Sequence, residues 1–186
     1  MSGRILTIGY GLRSMEEFVE LLQRDGVDYL IDVRVRPYSS YRPEFSREPL
    51  TASLGEHEIH YIHMPELGGR PEDDRFWIDD RKVDYERLRE IPEYQRGIER
   101  LLDARNQGHT ICLMCSEGRP EECHRSKLIG ESLVVLDVPV DHIDAEGELR
   151  THDEIIRLLT KGQLTFDFAP TKFTSKPLKR RGSRRA

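Results

Sequence analysis

The segment from Cys115 to Arg125 holds the side chains best suited to chemistry in this chain. It reads Cys-Ser-Glu-Gly-Arg-Pro-Glu-Glu-Cys-His-Arg, so thiols, an imidazole and guanidinium groups lie close together. A thiolate is the reactive form of cysteine, and a positive charge or a helix N-terminus beside a thiol lowers its pKa. We predict a helix over residues 122–136, which would place Cys123 at such a terminus. The segment therefore predicts a nucleophilic or anion-binding site centred on Cys115, Cys123, His124 and Arg125.

A metal or redox site is the competing interpretation of these residues. Cys112 and Cys115 form a C-x2-C pair, to which Cys123 and His124 would add two ligands. However, Cys112 and Cys115 would point to opposite faces of a strand, and adjacent helical residues lie about 100° apart, so a tetrahedral site would require an irregular loop. We therefore assign Cys112 to the core, predict no metal ligand and leave the cofactor open. A disulfide between Cys115 and Cys123 under oxidising conditions stays a further alternative.

Polar residues and glycines also follow the other predicted strands. Glu117 and Glu66 are candidate general acids or bases, because each lies beside a glycine loop at a strand end. Asp32 is a further catalytic candidate, and a purely structural ion pair with Arg34 is an equal alternative. We assign ligand binding to the glycine loops, arginines and one histidine near these strand ends: Gly9, Tyr10, Gly11, Arg34, His63, Gly68, Gly69, Arg70, Arg119 and Arg125.

Alternating strands and helices would position these residues. Short apolar runs predict strands, and apolar residues at helical spacing between the runs predict helices. This alternation is typical of a mostly parallel sheet with helices on both faces. We predict a single Rossmann-like three-layer α/β domain with about five strands. In such domains, ligands bind outside the carboxyl ends of the strands, near the point where strand order reverses.

Charge separates the end of the chain from the rest. The net charge is −5, yet the residues from Lys176 onward include six basic and no acidic side chains, which leaves 23 basic against 34 acidic residues before them. We predict an α/β domain over residues 1–170 and a basic, disordered tail over residues 171–186. An acidic body repels phosphate at long range, so nucleic-acid affinity would require a local basic pocket or the tail.

Cellular location can also be predicted from composition. No apolar stretch approaches the ~20 residues of a membrane span, and no signal-peptide pattern is recognisable. The few clustered cysteines do not form the disulfide framework of a secreted mini-domain. We expect a cytoplasmic protein with reduced thiols and no membrane contact.

Four ordered motifs resemble a known family. They are Thr7-Ile-Gly-Tyr-Gly, Leu30-Ile-Asp-Val-Arg, Pro65-Glu-Leu-Gly-Gly-Arg, and Cys115-Ser-Glu followed by Cys123-His-Arg. From Arg4 to about Leu159 the chain resembles the family catalogued as domain of unknown function 488. The resemblance implies a common site without naming a reaction, and its motif positions are Gly9, Asp32, Arg34, Pro37, Gly68, Gly69, Cys115, Glu117, Cys123, His124 and Arg125. Asp-Val-Arg is also similar to rhodanese-like domains, but their compact loop from catalytic cysteine to arginine has no counterpart here.

Three classes of function fit these observations. The first is an enzyme that acts on an anionic, nucleotide or nucleic-acid-derived substrate, with Cys115, Cys123, His124, Glu117 and Asp32 as catalytic residues. The second is a non-catalytic nucleotide or nucleic-acid binding module, in which the basic tail contacts the nucleic acid. The third is a metal or redox site. We favour the enzyme, because thiols, imidazole, carboxylates and arginines together exceed what anion binding requires.

Overall fold

A six-stranded sheet forms the centre of the computed structural model, which describes residues 2–71, 73–78, 82–160 and 173–177. In spatial order the strands are β3 (His60–His63), β2 (Tyr29–Asp32), β6 (Ile111–Cys115), β1 (Ile5–Gly9), β7 (Val140–Ile143) and β8 (Leu149–Thr151). Neighbours run parallel except β7 and β8, which are antiparallel. Strands β4 (Trp77–Ile78) and β5 (Lys82–Val83) form a separate two-stranded ribbon. The predicted three-layer, mostly parallel α/β fold is therefore confirmed.

Helices cover both faces of this sheet. On one face, α1 (Met15–Arg24) and α2 (Arg47–Gly55) bury their apolar residues against Leu6 and Ile8 of β1. On the other face, α3 (Tyr85–Arg89), α4 (Pro92–Asn106) and α5 (Glu131–Val134) pack against the second side of β1 and β6. Helix α6 (His152–Leu159) packs beside β7 and β8. Because both faces are covered, every residue of β1 and β6 is buried.

Strands β1 and β6 mark the point where the chain connections reverse direction across the sheet. They lie side by side and parallel, and Gly9 at the end of β1 pairs with Cys115 at the end of β6. The chain leaves β1 toward α1 on one face and leaves β6 toward α5 on the opposite face. A parallel sheet opens at its carboxyl edge where successive connections depart to opposite faces.

The chain after β6 differs from the single helix predicted over residues 122–136. Pro120–Glu122 forms a 3-10 turn, Cys123 is extended with φ −110° and ψ 154°, and a π-helical turn spans Arg125–Gly130 before α5 begins. The hydroxyl of Ser126 donates to the carbonyl oxygen of Pro120 at 2.5 Å, which stabilises this irregular path. Cys123 therefore precedes a π-helical turn, a feature frequent at functional sites, and does not lie in the first turn of a regular α-helix.

One helix boundary and one strand show which features follow from the sequence pattern and which do not. Pro92 separates two helices, because α3 ends at Arg89 and α4 begins at Pro92. The sixth strand, β8, was not predicted. All three of its residues are exposed, so it lacks the apolar alternation that identifies a half-buried strand.

Part of the predicted tail lies against the body. Thr174 pairs with Asp84, and the backbone N–H of Ser175 donates to the carbonyl oxygen of Val83 at 3.2 Å. Residues 171–172 and 178–186 of the predicted tail lie outside the described residues. Among the helices that the structure describes, none is long and apolar enough to cross a membrane.

Candidate active site at the carboxyl ends of the central strands

A pocket of about 200 Å³ lies at the carboxyl edge of the sheet, beside β2 and β6. Seven of the predicted site residues line it: Arg34, Gly69, Arg70, Cys115, Glu117, Cys123 and His124. Other lining residues were not predicted as site residues: Val33, Val35, Tyr85, Ser116, Glu122, Ser175 and Lys176. The structure thus brings together residues that follow β2, β3 and β6, together with a segment from the end of the chain.

The floor of the pocket holds two thiols and an imidazole. Nδ1 of His124 lies 3.6 Å from Sγ of Cys123 and 3.8 Å from Sγ of Cys115. Both cysteines are buried, with exposed fractions of 5% for Cys115 and 2% for Cys123, and both are free thiols. Their residual exposure faces the pocket, so a small molecule there would meet the sulfur atoms.

Arg125 is completely buried and contacts the thiol of Cys123. Its Nε–H donates to Sγ of Cys123 at 3.2 Å, and its Nη2–H donates to the carbonyl oxygen of Glu117 at 2.6 Å. A third donation, from Nη1–H at 3.3 Å, reaches the hydroxyl of Thr7. No carboxylate in the described part of the chain forms an ion pair with this guanidinium, so the sulfur of Cys123 is its nearest group able to carry a negative charge.

This environment shifts the pKa values of the two thiols in opposite directions. Burial by itself would raise the pKa of Cys123, but a hydrogen bond from Cys115 and the positive charge of Arg125 bring that pKa well below its usual range. Donation of the same hydrogen bond, together with burial, raises the pKa of Cys115 well above its usual range. The opposite directions of the two shifts favour Cys123 as the thiolate and Cys115 as the thiol of the pair.

Two glycines allow the backbone to close around these groups. A Cβ atom on Gly9 would lie 1.7 Å from the carbonyl oxygen of Glu117 and 2.8 Å from Nη2 of Arg125. A Cβ atom on Gly69 would lie 2.4 Å from Cβ of His124. Neither position has room for a side chain, so both glycines serve the site through close approach.

Asp32 and Arg34 form a buried ion pair beside the pocket. The carboxylate of Asp32 accepts hydrogen bonds from Nε–H of Arg34 at 2.9 Å, from its Nη2–H at 2.6 Å and from the hydroxyl of Tyr61 at 2.7 Å. Asp32 itself does not line the pocket, whereas Arg34 does. Nη1 of Arg34 is buried and has no hydrogen-bond partner among the described residues. This geometry supports the structural role that the sequence left open for Asp32.

Several predicted ligand-binding residues support the pocket from behind. Nε2–H of His63 donates to the carbonyl oxygen of Arg34 at 2.8 Å, and the ring of Tyr10 stacks on Phe45 at 4.5 Å. The backbone N–H groups of Tyr10 and Gly11 donate to the carbonyl oxygens of Cys115 and Ser116. Apart from Arg34, Cys115 and Ser116, none of these residues lines the pocket, and neither do Gly68, Arg119 and Glu66.

Two unpredicted residues complete the wall of the pocket. Tyr85, the first residue of α3, lies near both cysteines, and burial raises the pKa of its hydroxyl. Lys176 contacts the carboxylates of Glu122 and Glu117, the latter at 3.9 Å. Neither residue carries a recognisable signal in the sequence, because Tyr85 fits an ordinary apolar helix face and Lys176 belongs to a run of basic residues.

The alternative of a metal site would use the same sulfur and nitrogen atoms as ligands. Ligand atoms of Cys115, Cys123 and His124 lie within 4.8 Å of one another, close enough to hold a soft metal ion. Cys112 packs with Met114 on the opposite face of the sheet and cannot join them. The irregular chain path after β6 is what brings Cys123 and His124 to the same side.

Comparison with known families identifies the chain by its sequence. The family model described as Domain of unknown function DUF488 matches residues 14–131, which is more than half of the chain. No curated protein and no solved structure matches significantly. The chain therefore belongs to the DUF488 family.

Proposed function

We propose that this member of the DUF488 family is an enzyme that acts on an anionic substrate and uses the thiolate of Cys123 as its nucleophile. The observation that carries the proposal is the buried guanidinium of Arg125, which donates to Sγ of Cys123 at 3.2 Å and has no carboxylate partner among the described residues. An unpaired buried charge is costly, so a thiolate at Cys123 stabilises the fold as well as supplying a nucleophile.

Cys115 supplies the proton that the reaction requires. In the first step, Sγ of Cys123 forms a bond to the electrophilic atom of the substrate while the bond to the leaving group breaks. The leaving group takes the proton from the thiol of Cys115, whose sulfur lies within 4.8 Å of that of Cys123. Attack by water then breaks the bond to Cys123 and returns a proton to Cys115, so both groups recover their starting states.

Positive charge at the rim of the pocket favours an anionic substrate. Arg70 is exposed and lines the pocket, Lys176 also lines it, and Nη1 of Arg34 is a buried donor without a hydrogen-bond partner among the described residues. The rest of the chain is acidic, so attraction of an anion depends on these local groups. A nucleotide or nucleic-acid-derived substrate has the required charge, and guanidinium groups bind its phosphates through paired hydrogen bonds.

Glu117 and Glu122 have a supporting part in this proposal. Their carboxylates contact Lys176 and hold its ammonium group at the pocket wall. Glu117 also presents its carbonyl oxygen to Arg125, which fixes the guanidinium together with the hydroxyl of Thr7. The proposed catalytic residues are therefore Cys123, Cys115 and His124, and Glu117 has only the supporting part described here.

The test is a pH series of iodoacetamide alkylation at each cysteine, measured by mass spectrometry on untreated and metal-stripped protein. We expect Cys123 to react with an apparent pKa well below the ordinary ~8.5 in both preparations, and Cys112 and Cys115 to react slowly. The Cys123→Ser variant should lose only the fast phase. Slow thiols in both preparations would favour the non-catalytic binding module, and thiols that become fast only after stripping would favour a bound metal.

A further inference from the structure

A line of buried polar side chains runs from the proposed site to Glu131, the first residue of α5. The hydroxyl of Thr7 contacts Nη1 of Arg125 at 3.3 Å and Nδ1 of His142 at 2.8 Å. Nε2 of His142 lies 3.0 Å from Nδ1 of His152, and Nε2 of His152 lies 2.9 Å from the carboxylate of Glu131. The mechanism proposed above uses neither the hydroxyl, nor the two imidazoles, nor the carboxylate of this line.

These groups occupy positions where apolar side chains would be the ordinary choice. Thr7 and His142 face each other across β1 and β7, and both are completely buried, as is Arg125. His152 is 4% exposed and packs so closely on Gly130 that a Cβ atom there would lie 2.5 Å from its ring. Buried polar groups are tolerated when each one is hydrogen-bonded, and each interior member of this line has partners on both sides.

One tautomer of each imidazole gives the hydrogen bonds a single direction along the whole line. Burial, followed by the neighbouring His152 and Arg125, lowers the pKa of His142 well below its usual range, so His142 is neutral. The carboxylate of Glu131 accepts from Nε2–H of His152, and in the tautomer of His152 that carries only this proton, Nδ1 accepts from Nε2–H of His142. Nδ1 of His142 then accepts from the hydroxyl of Thr7, whose oxygen accepts from Arg125.

We propose that Thr7, His142 and His152 are positioning residues that hold Arg125 against Cys123, with Glu131 fixing the direction of the line. Of these residues, Thr7 is the one that touches Arg125, so the imidazoles act through its hydroxyl. The groups that face His142 are Arg125 and Cys123 from the segment after β6 and His152 from α6. This inference rests on the proposed role of Cys123, because its effect is to keep the guanidinium beside that thiolate.

The Thr7→Val variant tests the line with nearly unchanged shape, and Thr7→Ser is the matched control that restores the hydroxyl. In the pH series of alkylation, we expect Thr7→Val to raise the apparent pKa of Cys123. Below that pKa, alkylation should be about tenfold slower if the pKa rises by one, because the thiolate fraction falls tenfold. Thr7→Ser should react at close to the wild-type rate. A purely structural role would lower the melting temperature of Thr7→Val and leave the pKa of Cys123 unchanged.

A second variant and a second measurement keep the inference testable if Thr7→Val fails to fold. Glu131→Gln lies at the far end of the line and removes the charge that fixes its direction. We expect it to raise the apparent pKa of Cys123 by less than Thr7→Val does. Imidazole ¹⁵N spectra of wild-type protein at neutral pH should show Nε2 protonated and Nδ1 unprotonated in both His142 and His152. Reversed or charged imidazoles would overturn the inference.

The outcomes separate this inference from the proposed function. An ordinary pKa for Cys123 in the wild-type protein contradicts the proposed function. A low wild-type pKa that neither Thr7→Val nor Glu131→Gln changes contradicts only the positioning line.

Discussion

Nε–H of Arg125 donates to Sγ of Cys123 at 3.2 Å from a side chain that has no exposed surface. Guanidinium groups stay charged, so the charge of Arg125 is permanent and its nearest counterpart is a sulfur atom. A negative charge on Cys123 would compensate this buried charge, and the positive charge of Arg125 helps to lower the pKa of the Cys123 thiol well below its usual range. The acidity of Cys123 is therefore coupled to the stability of the fold.

Replacing Arg125 tests this coupling most directly. Arg125→Ala should raise the apparent pKa of Cys123, slow its alkylation at pH 7 by more than about tenfold, and reduce the free energy of unfolding by about 3–5 kcal/mol. Arg125→Lys keeps a charge but loses the planar set of donors, so we expect an intermediate rate. Alkylation kinetics and urea unfolding measure both effects.

Arg70→Ala is the matched control for Arg125→Ala. Arg70 is exposed at the rim of the same pocket. Its removal should weaken the binding of an anionic ligand and leave the acidity of Cys123 unchanged. An equal change of Cys123 acidity in both variants would contradict the specific role of Arg125.

The buried imidazole of His142 predicts a loss of stability in acid. Its pKa is lowered in the folded protein, so below the ordinary value of about 6.5 the unfolded chain binds a proton that the folded chain does not. Its contribution to stability is therefore present above pH ~6.5 and is lost as the pH falls toward its folded pKa. The slope from one such group reaches about 1.4 kcal/mol per pH unit.

Urea unfolding between pH 7 and pH 5 measures this slope. His142→Gln should lose less stability over that interval than wild-type protein, whereas His57→Gln, at an exposed position, should follow the wild-type curve. Identical slopes for wild-type and His142→Gln would show that His142 already carries a proton in the fold.

Gly69 predicts a steric effect on the imidazole of the site. In Gly69→Ala the new methyl carbon would lie 2.4 Å from Cβ of His124, so His124 must move. We expect a destabilisation of about 1–3 kcal/mol, as for other overpacked positions, together with a slower reaction of Cys123. Gly55→Ala is the control, because a Cβ there meets nothing within 4 Å. A Gly69→Ala protein of unchanged stability and reactivity would contradict the close packing.

The segment 173–177 predicts different effects for two truncations. Removing residues 175–186 takes Ser175 and Lys176 from the pocket wall, and should both speed alkylation of Cys123 and weaken binding of a fluorescent single-stranded oligonucleotide. Removing only residues 178–186 keeps that wall and removes distal basic charge. This shorter truncation should flatten the salt dependence of oligonucleotide binding without changing the alkylation rate of Cys123. Equal alkylation rates in both truncated proteins would show that the wall does not shield the thiol.

The sequence was sufficient to predict the layers of the fold and the edge that carries the site. The apolar runs that become β1 and β6 are unbroken, and such runs mark strands covered on both faces. The carboxyl ends of parallel strands meet at one edge, so Cys115, Arg34 and Gly69 could be expected near one another. The structure places all three at the pocket.

The finer arrangement of the site depends on interactions that periodicity does not encode. The helical pattern after Pro120 resembles one regular helix, whereas Ser126 and the π-helical turn displace Cys123 from it. Lys176 reaches the pocket through pairing of the distant Thr174 with Asp84. The partners of Thr7 also come from distant segments, so the composition of β1 alone does not reveal them.

Strand β6 carries cysteines with opposite surroundings on its two faces. Cys112 is fully buried among apolar residues of the α1 and α2 face, and burial raises the pKa of its thiol. It should become reactive only when that face of the sheet opens, so its labelling rate reports how often the whole domain opens. One labelling experiment would then measure two independent rates. The rate at Cys123 reports the reactivity of the pocket, and the rate at Cys112 reports unfolding.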